Sequence, residues 1–315
     1  MKIMMYGSGA AGSVFAAYLN KGGAELWLVD RYAAHMDKIA AEGLVFRSPA
    51  GEERLTGFHT AKTTEGLEIM DVIILMVKAT QTDAVMPAVL ACADEHTVIV
   101  SLQNGLGNDE KLMSYVPTER ILYGFGTIGT ELPEPGVCVS KPESGIIMRF
   151  GCAANGGEVE KVGAELEAIF NRGGCATCFG DDIRRYVWKK AVSNSGYNTL
   201  SAILGITVGT LTGDPSSREL LLSVWRECCA VADAAGVPGL WEEMLEELPR
   251  LQEGFKTYYP SMAQDILFFH RQTEISVLNG AIVAYAHKYG VPVPINESLC
   301  RMVECIQANY DIRKQ

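Results

Sequence analysis

At 315 residues, the chain is longer than one minimal core needs and suits two packed domains of roughly 100 to 200 residues each. Its 48% hydrophobic and 21% charged composition is that of a globular protein and excludes the disordered, collagen-like and coiled-coil classes. A formal charge of −11 repels phosphate backbones, so nucleic acid and anionic membrane are excluded as expected partners.

Nine cysteines at irregular positions form no disulfide framework and point to a reducing compartment. Cys175-Ala-Thr-Cys178 lacks a second pair at zinc spacing and reads as two small hydrophobes beside a strand. The apolar start Met1–Tyr6 stops at Gly7, too short for a signal-peptide core. No segment reaches the roughly 18 apolar residues of a membrane span. A soluble, cytoplasmic protein is the expectation.

In chain order, β-type runs at Lys2–Tyr6, Glu25–Val29, Val72–Val77 and Thr97–Ser101 alternate with helical stretches at Ala10–Lys21 and Thr82–Ala93, the signature of βαβ units on a mostly parallel sheet. Gly and Pro turns between Thr127 and Phe150 suggest antiparallel additions at the sheet edge. A helix over Val159–Asn171 and a strand over Cys175–Phe179 follow. After Gly180-Asp181-Asp182 the pattern becomes helical, so a dinucleotide-binding domain is expected over 1–180 and an all-helical substrate domain over 181–315. With no flexible linker between them, the domains are expected to pack directly and share a cleft.

Gly7-Ser8-Gly9-Ala10-Ala11-Gly12 is a G-x-G-x-x-G directly after an apolar strand and at the opening of a helix. Gly7 suits the tight turn, Gly9 the approach of a pyrophosphate, and Gly12 the packing of helix on strand, with the helix N-terminus facing the phosphates. No Gly-Lys-Ser/Thr follows, which excludes a Walker loop. Asp30 ends the second strand, where a carboxylate can bond the ribose 2′-OH of NAD, whereas the adjacent Arg31 can pair with the 2′-phosphate of NADP. Lys78 ends a further strand at the ligand-binding edge of the sheet, either meeting the cofactor or solvated. Asn104, in Gln103-Asn104-Gly105, is expected to point its amide toward the nicotinamide.

Lys190, Asn194 and Asn198 recur at four-residue spacing and share one helix face. If solvated, that stripe means nothing; if buried, each group needs a partner, which an anionic or carbonyl substrate supplies. Spacing does not choose between the two. A second polar cluster lies in Ser261-Met262-Ala263-Gln264-Asp265 and Arg271-Gln272-Thr273-Glu274, ahead of an apolar helix read as Ile275–Ala286. There Glu274 is either a helix-terminal acid or a carboxylate beside Lys190. The apolar helix is compatible with a homodimer interface or with a core. The histidines at 35, 59, 96, 270 and 287 show no ligand spacing, so no metal is expected.

The glycine loop, Val77-Lys78, Gln103-Asn104-Gly105, the Lys190–Asn194–Asn198 series, Ser261-Met262 with Gln264-Asp265, and Arg271-x-Thr273-Glu274 with Asn279-Gly280 together resemble the ketopantoate reductase (2-dehydropantoate 2-reductase) family over nearly the whole chain. The resemblance implies a Rossmann domain followed by a helical domain like that of 6-phosphogluconate dehydrogenase. It implies reduction of a small 2-keto acid, ketopantoate, by NADPH to (R)-pantoate for pantothenate and coenzyme A synthesis. NADP is therefore the expected cofactor, with NAD kept open by Asp30.

By the same resemblance Lys190 is the general acid and Glu274 orients it and the substrate. Asn194, Asn198 and Ser261 hold substrate, and Asn104 lies beside nicotinamide and lysine. The chain departs from the family pattern in three places. The segment from Ser261 to Glu274 is one residue longer, at Phe268-Phe269-His270; Ser276 stands where the family has Asp; and Asp30 precedes Arg31. Relatives that use NAD on bulky 2-keto acids, such as D-mandelate dehydrogenases, are the alternative, and a non-catalytic dinucleotide sensor is a third reading.

Overall fold

A computed structural model describes residues 1–141, 145–154, 156–180 and 182–313; Asp181, at the expected domain boundary, lies outside the described residues. The chain forms two compact units, Met1–Gln103 with Asn108–Ile183, and Asn104–Gly107 with Arg184–Gln315.

The first unit begins with β1 (Lys2–Tyr6), α1 (Ala10–Lys21), β2 (Glu25–Val29), α2 (Ala33–Glu42), β3 (Leu44–Ser48), β4 (Gly51–Leu55), β5 (Phe58–Ala61), β6 (Val72–Leu75), α3 (Thr82–Leu90) and β7 (Val98–Ser101). It continues through α4 (Asn108–Leu112), β8 (Ile121–Gly126), β9 (Thr130–Glu134), β10 (Val137–Ser140), β11 (Met148–Cys152), α5 (Glu158–Arg172) and β12 (Thr177–Phe179). Eight strands form a sheet in the order β12-β11-β8-β7-β6-β1-β2-β5. Every pair is parallel except β8 with β11, as the expected doubly wound α/β class requires. Fully buried runs such as Val72–Leu75 and Val98–Ser101 reflect a sheet covered on both faces.

The chain order reverses direction between β1 and β6, the point at which such sheets bind ligands.

Sequence reading misses a second sheet, ordered β4-β3-β10-β9. The turns after Thr127 give β9 and β10, which pair antiparallel with each other, yet β10 lies parallel to the distant β3. Of that region's strands after β8, β11 is the one that joins the main sheet as an antiparallel neighbour. The physical reason lies in β3, whose Leu44 and Phe46 are buried. Phe46 meets the ring of Tyr18 on α1 edge-on, and the Tyr18 hydroxyl bonds that of Ser140 on β10 at 3.0 Å. At Cys175, burial pushes the thiol up to about 11, which suits the small-hydrophobe reading.

The second unit consists mainly of α6 (Ile183–Leu204), α7 (Val208–Gly213), α8 (Pro215–Ala234), α9 (Leu240–Gly254), α10 (Ser261–Gln264), α11 (Asn279–Tyr289), α12 (Pro294–Ala308) and α13 (Tyr310–Arg313). Asp214 starts α8 by accepting the Ser217 amide at 2.8 Å, with Pro215 in the first helical turn, as capping rules favour. No helix among the described residues is long and apolar enough to cross a membrane.

The expected helix over Ile275–Ala286 is corrected. A 3₁₀ turn covers Ile275–Val277, Leu278 leaves helical geometry at φ −102 and ψ −100, and α11 begins at Asn279. Glu274 therefore caps the 3₁₀ turn and not the α-helix. Ile282 and Ala286 on α11 are buried in the unit's own core.

The axis of this unit is α6, 22 residues long. At Gly196 it passes so near α8 that a Cβ would lie 2.4 Å from Trp225 Nε1 and 2.5 Å from Leu221 Cδ1. Both side chains are fully buried, and the indole ring cannot bend away. Gly196→Ala should therefore cost about 1–3 kcal/mol through overpacking, despite alanine's better helix propensity. Chemical denaturation checks this, and an unchanged or higher midpoint would contradict the close crossing.

Candidate active site

The glycine loop connects β1 to α1. Gly7 is buried at φ +97, and a Cβ there would come within 2.6 Å of the Val77 amide nitrogen. At Gly12 it would come within 2.1 Å of the Gly7 carbonyl. Gly9 is exposed, and a Cβ there would find nothing within 4 Å. Gly9 caps α1 without a side-chain hydrogen bond, so the amides of Ala10, Ala11 and Gly12 head a 12-residue helix in the way that suits an anion. These residues fit a dinucleotide pyrophosphate: two glycines close the turn and the third opens it.

Beneath the loop lies a relay that sequence reading did not anticipate. The Gly136 amide donates to His35 Nδ1 at 2.8 Å, which places the proton on Nε2. That nitrogen donates to Ser13 Oγ at 2.9 Å, and Ser13 donates to the Ser8 carbonyl at 2.7 Å. His35, which shows no ligand spacing in the sequence, is fully buried. Burial lowers its pKa below the ordinary value, against smaller opposing effects from Asp30 and the Ser8 carbonyl.

Asp30 directly follows β2 and is half-buried, with Oδ1 accepting the Tyr32 amide at 2.8 Å, while Arg31 is exposed. Lys78 is half-buried at the cap of a 3₁₀ turn over Ala79–Gln81. Gln103 is a missed structural residue. Its Nε2 donates to the Val77 carbonyl at 2.9 Å, and its Oε1 accepts from Ser101 Oγ at 2.9 Å, tying together the ends of two strands at the ligand edge of the sheet.

In the second unit a pocket of about 240 Å³ is lined by Asn104, Asn194, Asn198, Ser261, Met262, Asp265, Glu274 and Leu278. Five of the six expected substrate-side residues meet there: Asn104, Asn194, Asn198, Ser261 and Glu274. Lys190 is absent from the lining; it is half-buried one turn earlier on α6. Asn104 reaches the second unit because its loop is fixed there: Leu106 donates to the Val277 carbonyl at 3.2 Å, and Gly105, at φ +98, leaves no room for a Cβ against that same carbonyl.

The choice that spacing left open falls on burial. Asn194 is 5% and Asn198 4% exposed. The Tyr197 hydroxyl donates to Asn194 Oδ1 at 2.8 Å, which leaves the Asn194 NH₂ group as the donor end.

Asp265, Met262 and Leu278 join the pocket although they were not singled out as site residues. Asp265 is 5% exposed and ion-paired with the Arg271 Nε. It opens a π-helical turn over Asp265–Phe269 that ends at His270 in the left-handed region, φ 48. An i→i+5 turn holds one more residue than an α turn, so the extra residue noted at Phe268-Phe269-His270 has a place. Phe268 and Phe269 are more than half exposed. Ser276, in place of the family's Asp, is also exposed, so that departure falls outside the pocket wall.

Residues 3–151 match the family model described as ketopantoate reductase PanE/ApbA, and residues 182–307 match that of its C-terminal part. The chain belongs to the ketopantoate reductase family. It is thereby an oxidoreductase of the NAD(P)-dependent kind. Among curated relatives, the 2-dehydropantoate 2-reductase of Aquifex aeolicus is 30% identical, covering 96% of each chain. That of Streptococcus pyogenes is 26% identical over 99% of this chain and 100% of its own.

A D-mandelate dehydrogenase solved with NADH and anilino(oxo)acetate superposes with TM-score 0.90 at 27% identity, covering 99% of this chain and 100% of the other. The 2-dehydropantoate 2-reductase of Geobacter metallireducens gives 0.87 at 26%, covering 96% and 99%.

The His35 relay sets a pH dependence. Protonating Nδ1 would set an N–H against the Gly136 amide. A folded-state pKa below the unfolded value makes this stabilisation complete above the unfolded pKa, about 6.5, and lost as pH falls through the folded one. The melting temperature should thus drop between pH 7 and pH 5 more in the native protein than in His35→Gln, which does not titrate. Parallel losses in the two would remove His35 from this role.

Proposed function

We propose that the protein is a 2-dehydropantoate 2-reductase that uses NADPH to form (R)-pantoate from ketopantoate. The observation that carries this reading is the pocket wall, in which six of eight residues are polar. Such a wall matches a small, hydroxyl-bearing keto acid better than an aromatic ring, which mostly apolar walls accommodate. The domain reading, a dinucleotide-binding region over 1–180 and a substrate region over 181–315, belongs to the same proposal.

In this mechanism Gly7, Ser8, Gly9, Ala10, Ala11 and Gly12 hold the pyrophosphate, Asp30 and Arg31 meet the adenosine ribose, and Lys78 and Asn104 complete the cofactor contacts. A bound reduced nicotinamide supplies the hydride. Asn194, Asn198 and Ser261 hold the substrate carboxylate and hydroxyl by donating hydrogen bonds. As negative charge develops on the keto oxygen, the Lys190 ammonium stabilises and then protonates it. Its four-carbon stem spans the single turn, about 5.4 Å, that separates it from Asn194. Glu274 on the opposite wall orients the ammonium and keeps it charged. NADP is favoured because Arg31 is exposed, as a guanidinium that meets a 2′-phosphate must be.

The second reading, an NAD-dependent D-2-hydroxyacid dehydrogenase, is favoured by Asp30 and by the likeness to D-mandelate dehydrogenase. Steady-state kcat/KM for NADPH and NADH, each with ketopantoate and with benzoylformate, separates the two. Strong preference for NADPH with ketopantoate is expected. Preference for NADH with benzoylformate would install the second reading, and stoichiometric cofactor binding without turnover would point to a sensor.

Lys190→Ala should lower kcat by about 10²-fold or more while the dinucleotide dissociation constant stays near the native value. Near-native turnover would remove Lys190 as the acid. Arg31→Ala should raise the KM for NADPH and leave that for NADH nearly unchanged; an equal effect on both would refute the 2′-phosphate assignment.

A further inference from the structure

Asn279 is fully buried and never meets the pocket, yet its side chain joins two of the pocket's walls. Its Nδ2 donates to the Ser195 carbonyl at 2.9 Å, and its Oδ1 accepts from Thr199 Oγ1 at 2.6 Å. Ser195 and Thr199 bracket one turn of α6. That turn contains Asn198 and directly follows Asn194. On its own strand of chain, Asn279 follows the pocket residue Leu278, whose amide returns to the Glu274 and Ile275 carbonyls at 3.2 and 3.3 Å.

The amide's orientation is fixed from behind. Nδ2 also donates to Asn296 Oδ1 at 3.0 Å, and Asn296 is itself fully buried. Asn296 Nδ2 donates to Glu227 Oε2 at 2.8 Å, and Glu227 takes the backbone amides of Ile295 and Asn296 at 2.9 Å each. Rotating the Asn279 amide by half a turn would set its oxygen against two acceptors at once, the Ser195 carbonyl and Asn296 Oδ1.

We propose that Asn279 is the positioning residue of this site, clasping the Ser195–Thr199 turn of α6 against the Glu274–Leu278 segment so that the carboxamides and the carboxylate keep one spacing. The inference rests on the reductase reading. It acts through α6 and not by contact with substrate. Site groups must be held to within about 0.5 Å by what packs behind them, and a misplacement of about 1 Å costs on the order of 10²-fold in rate. Glu227 and Asn296 secure the clasp to the start of α12, so their part is stability.

Three variants test this, each normalised to the amount of protein that binds NADPH. Asn279→Asp keeps the shape but turns the donor into an oxygen facing the Ser195 carbonyl. Thr199→Val removes one hydroxyl at nearly constant size. Glu227→Gln loosens the anchor and leaves both α6 bonds in place. Asn279→Asp should raise the keto-acid KM and lower kcat, for about 10²-fold in kcat/KM, and Thr199→Val should do the same to a smaller extent. NADPH affinity should stay within about twofold of native for both.

Glu227→Gln should lower the melting temperature with KM and kcat near native. A purely structural role for Asn279 would lower the active fraction and leave the KM of the remaining enzyme unchanged. If Asn279→Asp fails to fold, Thr199→Val decides. A native keto-acid KM and kcat in Thr199→Val, or an equal KM rise in Glu227→Gln, would overturn the proposal. No turnover of any 2-keto acid by the native protein would instead remove the reductase reading, and this inference with it.

Discussion

Desolvating a carboxamide costs about 1–3 kcal/mol unless hydrogen bonds replace the lost water, and α6 buries two of them, Asn194 and Asn198, four residues apart. That constraint organises much of the helical unit. A core built for stability alone would set apolar side chains at those positions. Here polar groups stand around them instead: Tyr197, on the same helix, for Asn194, and from neighbouring segments Asn104, Ser261, Asp265 and Glu274. The Asn194 and Asn198 side of the helix therefore lines a pocket and is not a solvated stripe. The cost of burying it is offset partly by the close α6–α8 crossing, where Gly196 lets the buried Trp225 ring pack against the helix.

The first unit solves a different problem, that of holding an open loop rigid. A chain turning directly from β1 into α1 leaves helix-end amides without partners, which invites an anion but also lets the loop sag. Contact from below prevents this. Gly7 and Gly12 bring backbone against backbone at distances no side chain allows, and the His35–Ser13 relay supports the Ser8 carbonyl. Because Gly136 supplies the first donor, the turn between β9 and β10 takes part in shaping the loop. The small second sheet thus contributes to the shape of the glycine loop through one imidazole.

What could be read from the sequence follows the range of the interactions concerned. The glycine loop was legible because its three glycines act within six residues of one another. The Lys190, Asn194 and Asn198 series was legible because helical periodicity is local. The pairing of β3 with β10 was not: Val45 and its partner Val137 stand far apart in the chain, and each strand is only 4 or 5 residues long. The transfer of Asn104 to the helical unit depends on the Val277 carbonyl, which no local pattern announces. Asp265 stood in a recognised polar cluster, yet only the π turn and Arg271 show how its carboxylate is held in the pocket wall. The Asn279 clasp spans 84 residues to Ser195 and 17 to Asn296, so although Asn279-Gly280 belongs to the family pattern, the sequence does not show what its amide holds.

Specificity within this family is a matter of which polar groups a substrate leaves unpaired. A pocket that donates hydrogen bonds to a hydroxyl or carboxylate rejects an analogue lacking one far more strongly than an apolar pocket rejects an extra methylene, since its own buried groups then lose their partners. With Asn194 and Asn198 nearly inaccessible and Asp265 held by Arg271, the proposed reading has a phenyl ring leave such groups unpaired where a compact hydroxy acid would not. Rigidity sharpens the penalty, because carboxamides free to rotate would find one another or water. On the same reading, a buried amide that fixes the spacing of two walls takes part in the discrimination as well as in the fold, and a structure whose backbone resembles a D-mandelate dehydrogenase can still differ from one in what it accepts.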